Sequence, residues 1–334
     1  MTSQIQHIQH LLQNSHNPLF FYDDDVDGLC AFLQLYKTYR KGIGIPCKSA
    51  PKIPASYVKK IEEHSPDLIV ILDKPEVAEE ILSYSVPIIW IDHHEYQENR
   101  VQYLHSSTKS TSELVYQITQ NYPLEAICGS IADWRVPEHF HTFQKTHSKL
   151  CPKPYTTAPD ILYKTQIGKI CEILAYNLKS ASKKLKKSLQ ILQRREILSD
   201  ILTVADDDCE YIRKQYDNIK TVFDEEFQNF TEQCDTKQKI CVFTHSIPQT
   251  SLTRELSNKL HYTFPDTLII VRRFSQNSFK CSIRSPINHN VAAKLAEIFT
   301  KIPGHGGGHS NACGACVFED DWDFFYTELS EEFT

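Results

Sequence analysis

The sequence predicts an α/β protein with a parallel-sheet N-terminal domain, a helical connector and a smaller C-terminal α/β domain. Near the N-terminus, short and nearly continuous apolar runs alternate with helix-like segments, which is typical of a parallel sheet covered on both faces. Strand-like runs are missing from about residue 161 to residue 234 and return after Lys239. We therefore predict three parts, 1–140, 141–238 and 239–334.

The N-terminal domain is predicted to begin with a helix, because Ile5, Ile8, Leu11 and Leu12 recur at helical spacing. The apolar runs that follow are short, as strands are, and helix-like segments separate them. In chain order we predict strand 18–22, helix 29–36, helix 57–64, strand 68–72, helix 75–84, strand 87–91 and helix 112–121.

The connector and the C-terminal domain are predicted from the same patterns. Apolar residues between Leu178 and Leu192 form a helical stripe, beside basic residues that either attract phosphates or form a solvated face. These basic residues are Lys179, Lys183, Lys184, Lys186, Lys187, Arg194 and Arg195. In the C-terminal domain we predict strands 240–243, 267–271 and 279–283, with helices 252–260 and 291–299.

The composition excludes several classes of protein. Of the 334 residues 41% are hydrophobic and 23% are charged, as in ordinary globular proteins. No apolar run approaches the roughly 20 residues of a membrane helix, so we expect a cytoplasmic protein without membrane contact. The net charge of −6 argues against a large, non-specific grip on duplex nucleic acid. The eleven cysteines are expected to be reduced, with Cys313 and Cys316 as small buried residues rather than zinc ligands.

Four segments concentrate carboxylates and imidazoles, and the first three directly follow strand-like runs. They are Asp23-Asp24-Asp25-Val26-Asp27-Gly28, Leu72-Asp73, Asp92-His93-His94 and Ala132-Asp133. Because ligands of open parallel sheets bind outside the carboxyl ends of the strands, we expect these side chains to meet there. Carboxylate and imidazole groups suit a divalent cation such as manganese or magnesium. The sequence therefore predicts a metal-dependent enzyme.

The same segments resemble the motifs of the DHH phosphoesterase family, named after the triplet that stands here at 92–94. The run Asp23-x-Asp25-x-Asp27-Gly28 is similar to the first motif in its RecJ-type form, Asp73 to the second motif and 129–133 to the fourth. Near the C-terminus, 306–309 resembles the glycine-rich signature of the DHH-associated domain, and 282–285 resembles the strand that precedes it.

The resemblance implies an active site in the cleft between the two domains, with two manganese ions as cofactors and magnesium as the alternative. Asp23, Asp25 and Asp73 would hold one ion, while Asp27, Asp73, His93 and Asp133 would hold the other. Asp92 would be a weak ligand or lie behind the ligands, and His94 would face the scissile phosphate. Asp92, His93 and His94 are thus the expected catalytic residues, and Trp134 is expected in the core nearby.

Substrate contacts are expected from the C-terminal domain. A run of three glycines lets backbone N–H groups approach an anion closely, and a planar guanidinium suits a terminal phosphate. The expected contacts are Arg284, Ser285, Gly306, Gly307, Gly308, His309 and either Arg272 or Arg273.

We therefore expect a metal-dependent phosphodiesterase that hydrolyses single-stranded DNA or RNA as an exonuclease, with replication or repair proteins as candidate partners. A close alternative keeps the chemistry but acts, like nanoRNases, on short oligonucleotides or linear dinucleotides. Another alternative is a non-catalytic replisome-associated subunit, which the complete set of expected ligands disfavours. Inorganic pyrophosphatase is disfavoured because those enzymes begin the first motif with His, where this chain has Asp23.

Overall fold

The structure, a computed structural model, describes residues 2–48, 51–94, 100–203, 205–234, 238–245 and 252–333. The chain divides into two compact units, Met1–Tyr216 and Asp217–Thr334. The predicted fold class is confirmed, with a parallel-sheet N-terminal domain, helices and a smaller C-terminal sheet domain. Among the described residues, no helix combines the length and the apolar character needed to cross a bilayer.

The first unit is built on a five-stranded parallel sheet. Strands of this unit are β1 (Pro18–Asp23), β2 (Ile43–Cys47), β3 (Lys52–Ile53), β4 (Leu68–Leu72), β5 (Glu76–Val77), β6 (Ile88–Asp92) and β7 (Gln102–His105). The sheet has the order β2-β1-β4-β6-β7, while β3 and β5 pair separately. The strand order reverses beside β1, so a topological switch point lies between β1 and β4, where sheets of this kind bind ligands.

Helices cover both faces of this sheet. The helices up to residue 132 are α1 (Thr2–Asn14), α2 (Val26–Tyr39), α3 (Val58–His64), α4 (Glu79–Leu82), α5 (Thr111–Thr119) and α6 (Pro123–Ala132). Alternate residues of β1 point to opposite faces. Phe20 and Tyr22 pack on Phe32 of α2, whereas Phe21 belongs to the core that includes Ile61 of α3.

The segment predicted as a connector does not form a unit of its own. It contains α7 (Phe140–Thr146), α8 (Ala158–Lys164), α9 (Gln166–Leu178), α10 (Ser182–Arg194) and α11 (Asp207–Gln233). Helices α8 and α9 pack against α6, and α10 packs against α2 and α9. These helices therefore belong to the first unit, and the boundary between the units falls inside α11.

The second unit contains a mixed five-stranded sheet. Its elements are β8 (Ile240–Thr244), α12 (Thr253–Thr263), β9 (Leu268–Ser275), β10 (Ser278–Arg284), α13 (Val291–Ile298), β11 (Gly304–His309), β12 (Ala312–Phe318) and α14 (Trp322–Ser330). The order is β11-β12-β10-β9-β8, with only the β8–β9 pair parallel among the described strands. Leu295 of α13 and Phe325 of α14 pack in a core on one face. Helix α12 contacts the other face, where Ser257 bonds Ser282 across 2.8 Å.

Candidate metal centre

The carboxyl ends of three adjacent strands bring the first predicted ligands to one edge of the sheet. Asp23 is the last residue of β1, Asp73 directly follows β4 and Asp92 is the last residue of β6. These strands are parallel neighbours, so all three residues stand at the same edge, beside the switch point. Asp73 has a left-handed backbone with φ of 58°. Such a conformation is uncommon for a residue other than glycine and is often found at functional sites.

The beginnings of two helices position Asp25 and Asp27. The Asp25 side chain caps α2 by accepting a hydrogen bond of 3.0 Å from the backbone N–H of Gly28. Asp27 is 2% exposed and accepts hydrogen bonds from the backbone N–H groups of Thr111 (2.8 Å) and Ser112 (3.0 Å). The hydroxyl of Ser112 also donates to Asp27. The N–H groups at the N-terminus of α5 thus hold the carboxylate of Asp27, where the helix dipole also favours a negative charge.

Two glycines of the predicted motifs leave the space that these carboxylates need. A Cβ added at Gly28 would lie 2.6 Å from the carbonyl oxygen of Asp23, so α2 could not begin this close to β1. A Cβ at Gly129 would lie 2.7 Å from a carboxylate oxygen of Asp27. Both positions require glycine for steric reasons.

His93 and Asp133 face the same carboxylates. The Nε2 atom of His93 lies 3.3 Å from Oδ1 of Asp73 and 3.7 Å from Oδ2 of Asp133. Asp133 caps the C-terminal end of α6, where the Nε of Arg135 donates to its Oδ2 across 3.0 Å. The Nη2 of Arg135 lies 3.4 Å from Nδ1 of His93. One arginine therefore contacts two of the predicted ligands.

Asp92 is bound to its neighbour His94. Its two carboxylate oxygens accept from the backbone N–H of His94 (3.0 Å) and from the ring Nδ1 of His94 (2.8 Å). Burial raises the pKa of Asp92, but the hydrogen bonds from His94 outweigh it and hold the pKa below its ordinary value. Asp92 remains a carboxylate and fixes the orientation of the His94 ring.

Three sets of candidate ligands converge in the structure, and one of them includes His94, which was predicted to face the scissile phosphate rather than to bind an ion. In each set, one ligand atom from every residue lies within 4.8 Å of those of the other members. The sets are Asp23, Asp25 and Asp73; Asp27, His93 and Asp133; and Asp73, His93 and His94. Of the predicted metal ligands, all of which are described, only Asp92 belongs to none of these sets.

The electrostatics of these sets fit a site for cations. Burial and, to a smaller extent, the charge of Asp133 raise the pKa of Asp27 to about 6. Burial and the charges of Asp25 and Asp27 also raise the pKa of Asp73. Burial lowers the pKa of His93, but the hydrogen bond to Asp73 and the charge of Asp133 outweigh it and raise the pKa to about 10. The protein alone thus retains protons among its buried acids, which divalent cations would displace.

Several residues around these sets were not singled out in the sequence. Lys74 is 1% exposed and donates to Oδ1 of Asp23 (2.7 Å) and to the carbonyl of Lys48 (3.1 Å). Thr111 donates to Oδ1 of Asp73 across 3.1 Å. The serine-rich start of α5 is a recognisable capping signal, and Ser110 caps the helix. Nothing in the local sequence signals the pairing of Lys74 with Asp23.

The predicted substrate residues of the second unit do not share one face of their sheet. Arg272 pairs in register with Cys281, three residues before Arg284, so Arg272 and Arg284 lie on opposite faces. Arg272 stacks on Phe279 at 4.0 Å and on Trp322 at 3.9 Å. Arg273, and not Arg272, therefore shares the sheet face of Arg284.

Arg284 and Ser285 are buried rather than displayed. Arg284 is 9% exposed and its Nε donates to Oδ1 of Asn258 across 2.7 Å. Ser285 is fully buried and its hydroxyl accepts from Nδ2 of Asn311 across 3.2 Å.

The glycine run forms the edge strand β11, which is exposed along its whole length. Gly307 lies opposite Gly314, and Gly314 lies opposite Ser282, so Gly307 and His309 share the sheet face of Arg284. A Cβ added at Gly307 would meet nothing within 4 Å, whereas Gly306 and Gly308 are crowded on the other face. The structure therefore gathers Arg284, Gly307 and His309 on one face and turns Gly306 and Gly308 away from it.

Comparison with known proteins agrees with this architecture. Residues 19–135 match the family model described as DHH family, N-terminal domain. No curated protein sequence matches the chain significantly.

Three solved structures illustrate the similarity of fold. RecJ from Thermus thermophilus, in complex with Mn2+, has a TM-score of 0.68 and 15% identity, and the match covers 99% of this chain and 54% of that chain. A pGpG-specific phosphodiesterase from Vibrio cholerae has a TM-score of 0.51 and 13% identity, over 95% and 98% of the two chains. CDC45 from Entamoeba histolytica has a TM-score of 0.51 and 10% identity, over 99% of each chain. The chain thus spans about half the length of that RecJ.

Proposed function

We propose that this chain, whose residues 19–135 match the model of the DHH family N-terminal domain, is a metal-dependent phosphodiesterase that hydrolyses single-stranded nucleic acid as a RecJ-like exonuclease. The observation that carries the proposal is the convergence of three carboxylate and imidazole sets at the ligand-binding edge of the first sheet. Their donor chemistry suits two manganese ions, with magnesium as the alternative. RecJ from Thermus thermophilus has been solved in complex with Mn2+ and in complex with Mg2+.

Specific residues would hold each ion. Asp23, Asp25 and Asp73 would bind one, and Asp27, His93 and Asp133 would bind the other with Asp73 between them. When bound, two such ions supply Lewis-acid polarisation of a phosphoryl oxygen, activation of water and neutralisation of developing charge.

The remaining residues of the site orient the ligands and the substrate. Asp92 accepts a hydrogen bond from Nδ1 of His94. The His94 side chain is 32% exposed, and its Nε2 would be left to meet the scissile phosphate. Thr111 and Ser112 hold Asp73 and Asp27 through hydrogen bonds, as groups behind metal ligands commonly do. Arg135, bonded to Asp133, adds a positive charge that suits a phosphodiester.

The second unit would bind the rest of the substrate. Its sheet carries His309 and Arg284 on the face where Gly307 adds no side chain. Exposed backbone and an imidazole can contact phosphate or stack on a base. Because Arg284 already donates a hydrogen bond to Asn258, it would act mainly through its positive charge, which lies beneath that face.

The test is hydrolysis of 5′-labelled DNA and RNA oligomers of graded length, with manganese or magnesium, resolved on a gel. Replacing Asp27→Asn or His93→Ala should lower the rate by more than about 100-fold, because even residues behind metal ligands contribute 10- to 100-fold. The matched control is Asp24→Asn, which lies in the same acidic run but in none of the three sets of described residues. Full activity of Asp27→Asn, or no hydrolysis of any oligomer by the unmodified chain, would refute the proposal.

A second candidate keeps the chemistry but acts on short oligonucleotides or linear dinucleotides. The observation that favours it is the net charge of −6, which disfavours an extended grip on a long phosphate backbone. Rates that fall steeply as the oligomer lengthens would select this candidate. A non-catalytic role with replication partners, suggested by the similarity to CDC45, would require no turnover on any member of the panel.

A further inference from the structure

Trp134 is an exposed aromatic residue next to the candidate metal centre. The sequence suggested a core position, but its side chain is 36% exposed. The described part of the first unit has three exposed large hydrophobic residues, Ile43, Trp134 and Ile197, and only Trp134 among them is aromatic.

The backbone at Trp134 is unfavourable for this kind of residue. Helix α6 ends there, with the N–H of Trp134 donating to the carbonyl of Ile131 (3.1 Å) and the N–H of Arg135 to that of Ser130 (2.8 Å). Trp134 has a φ of 61°, the left-handed conformation that glycine prefers at helix ends. The tryptophan therefore occupies a position where local energetics favour a residue without a bulky side chain.

The neighbours of Trp134 are both part of the candidate metal centre. Asp133 belongs to the set that includes Asp27 and His93. Arg135 donates to Asp133 across 3.0 Å and to the carbonyl of Ser107 across 2.8 Å. Consecutive Cα atoms are about 3.8 Å apart, so the tryptophan backbone is within one residue of a predicted metal ligand. Trp134 thus lies in the chain between two residues that a substrate phosphate at this centre would approach.

We propose that Trp134 is the stacking platform for the nucleobase next to the scissile phosphate. This inference rests on the proposed phosphodiesterase function and names a base-binding subsite for it. A tryptophan face stacks on any base, since every base has a π-face, and therefore accepts nucleotides without selecting a sequence. The partly exposed indole and its unfavourable backbone are explained together if the ring is retained for ligand contact.

The decisive experiment compares substrates with and without the base. KM and kcat are measured for a short oligonucleotide and for the same molecule carrying a tetrahydrofuran abasic unit at the cleaved nucleotide. Trp134→Ala should raise KM for the base-bearing substrate by roughly 5- to 150-fold, with little change for the abasic one. Trp134→Phe should retain most of the affinity because it keeps an aromatic face. Equal losses on both substrates would overturn the inference, because they would indicate a structural role.

A binding measurement separates this inference from the proposed function. Fluorescence anisotropy of a labelled, non-hydrolysable phosphonate oligonucleotide reports affinity without turnover, and Trp134→Ala should weaken it by the same factor. If the unmodified chain binds this probe through Trp134 but hydrolyses nothing, the proposed function fails and the base subsite stands. If the chain hydrolyses oligonucleotides and Trp134→Ala binds them unchanged, the subsite fails and the function stands. Retained cleavage of the abasic substrate by Trp134→Ala shows that the variant is folded.

Discussion

At the scale of single residues, the candidate ligands hold protons that a cation would have to displace. Burial and the charge of Asp133 raise the pKa of Asp27 to about 6, whereas the hydrogen bond to Asp73 and the charge of Asp133 raise the pKa of His93 to about 10. Burial alone would lower the pKa of His93, so the raised value reports the charges of Asp73 and Asp133. Near pH 8 Asp27 is therefore ionised and His93 is protonated.

We predict that manganese binding releases about one proton near pH 8, because His93 must be neutral to bind a metal. Affinity should rise about tenfold per pH unit from pH 6.5 to 8.5, and more steeply below pH 6, where Asp27 is also protonated. Calorimetric titrations in buffers of different ionisation enthalpy count the protons. In His93→Gln the release should disappear, and pH-independent affinity of the unmodified chain would contradict the assignment.

At the scale of elements, α10 presents two kinds of basic residue. Arg194 pairs with Asp208, and Arg195 pairs with Asp206 and Asp200, so these charges are neutralised within the fold. The lysines in its first half are exposed and form no ion pair with any described residue. They are Lys183, Lys184, Lys186 and Lys187, with Lys187 lying 4.0 Å above the ring of Tyr211. This lysine face of α10 suits a phosphate backbone by charge.

We predict that the lysine face of α10 contacts long single strands. In the double variant Lys183→Gln/Lys187→Gln, the slope of log KM against log salt concentration for a long strand should fall by about 0.7 per lost contact. Cleavage of a dinucleotide should be unchanged. The matched control is Lys59→Gln with Lys60→Gln on α3, which removes the same charge from exposed positions. Equal salt slopes in both double variants would assign the lysines to solvent and favour a short substrate.

Strands with a continuous apolar pattern were predictable, whereas edge strands that contain glycine or proline were not. Strands β4 and β6 are continuous apolar runs and were predicted within a residue or two at each end. The edge strand β2 contains Gly44 and Pro46, and β11 is mostly glycine, so neither has the composition of a strand. Strand β7 and helices α6 and α14 were also not predicted, and the helix expected at 75–84 is reduced to Glu79–Leu82.

The candidate site was more predictable than its surroundings because its acids follow strands in the sequence. Strand order in a parallel sheet then brings Asp23, Asp73 and Asp92 to one edge without further information. The role of Asp92 depends on its hydrogen bonds to His94, and the pairing of Lys74 with Asp23 depends on side-chain packing. The alternation of β12 likewise places Cys313 and Cys316 on opposite sheet faces, which rules them out as joint ligands of one ion.

At the scale of the whole molecule, every predicted metal ligand lies between residues 23 and 133, inside the first unit. The second unit contains the glycine-rich strand β11 and has a separate core built on α13 and α14. An ion that binds only the folded form of the first unit stabilises that unit selectively. The stabilisation is about 2.7 kcal/mol when the free ion is at 100 times its dissociation constant. The two units should therefore respond differently to manganese.

We predict that manganese slows amide hydrogen exchange in β1, β4, β6, α2 and α5 by roughly 100-fold when exchange requires unfolding of the first unit. Exchange in β8 to β12 should be unchanged, because these strands supply none of the three ligand sets. Mass spectrometry of peptic fragments resolves the two regions in one experiment. Asp73→Asn should abolish the protection, since Asp73 belongs to two of the sets, whereas Asp24→Asn should retain it. Equal protection of both sheets by manganese would show instead that the units unfold together, and protection that persists in Asp73→Asn would place the ion elsewhere.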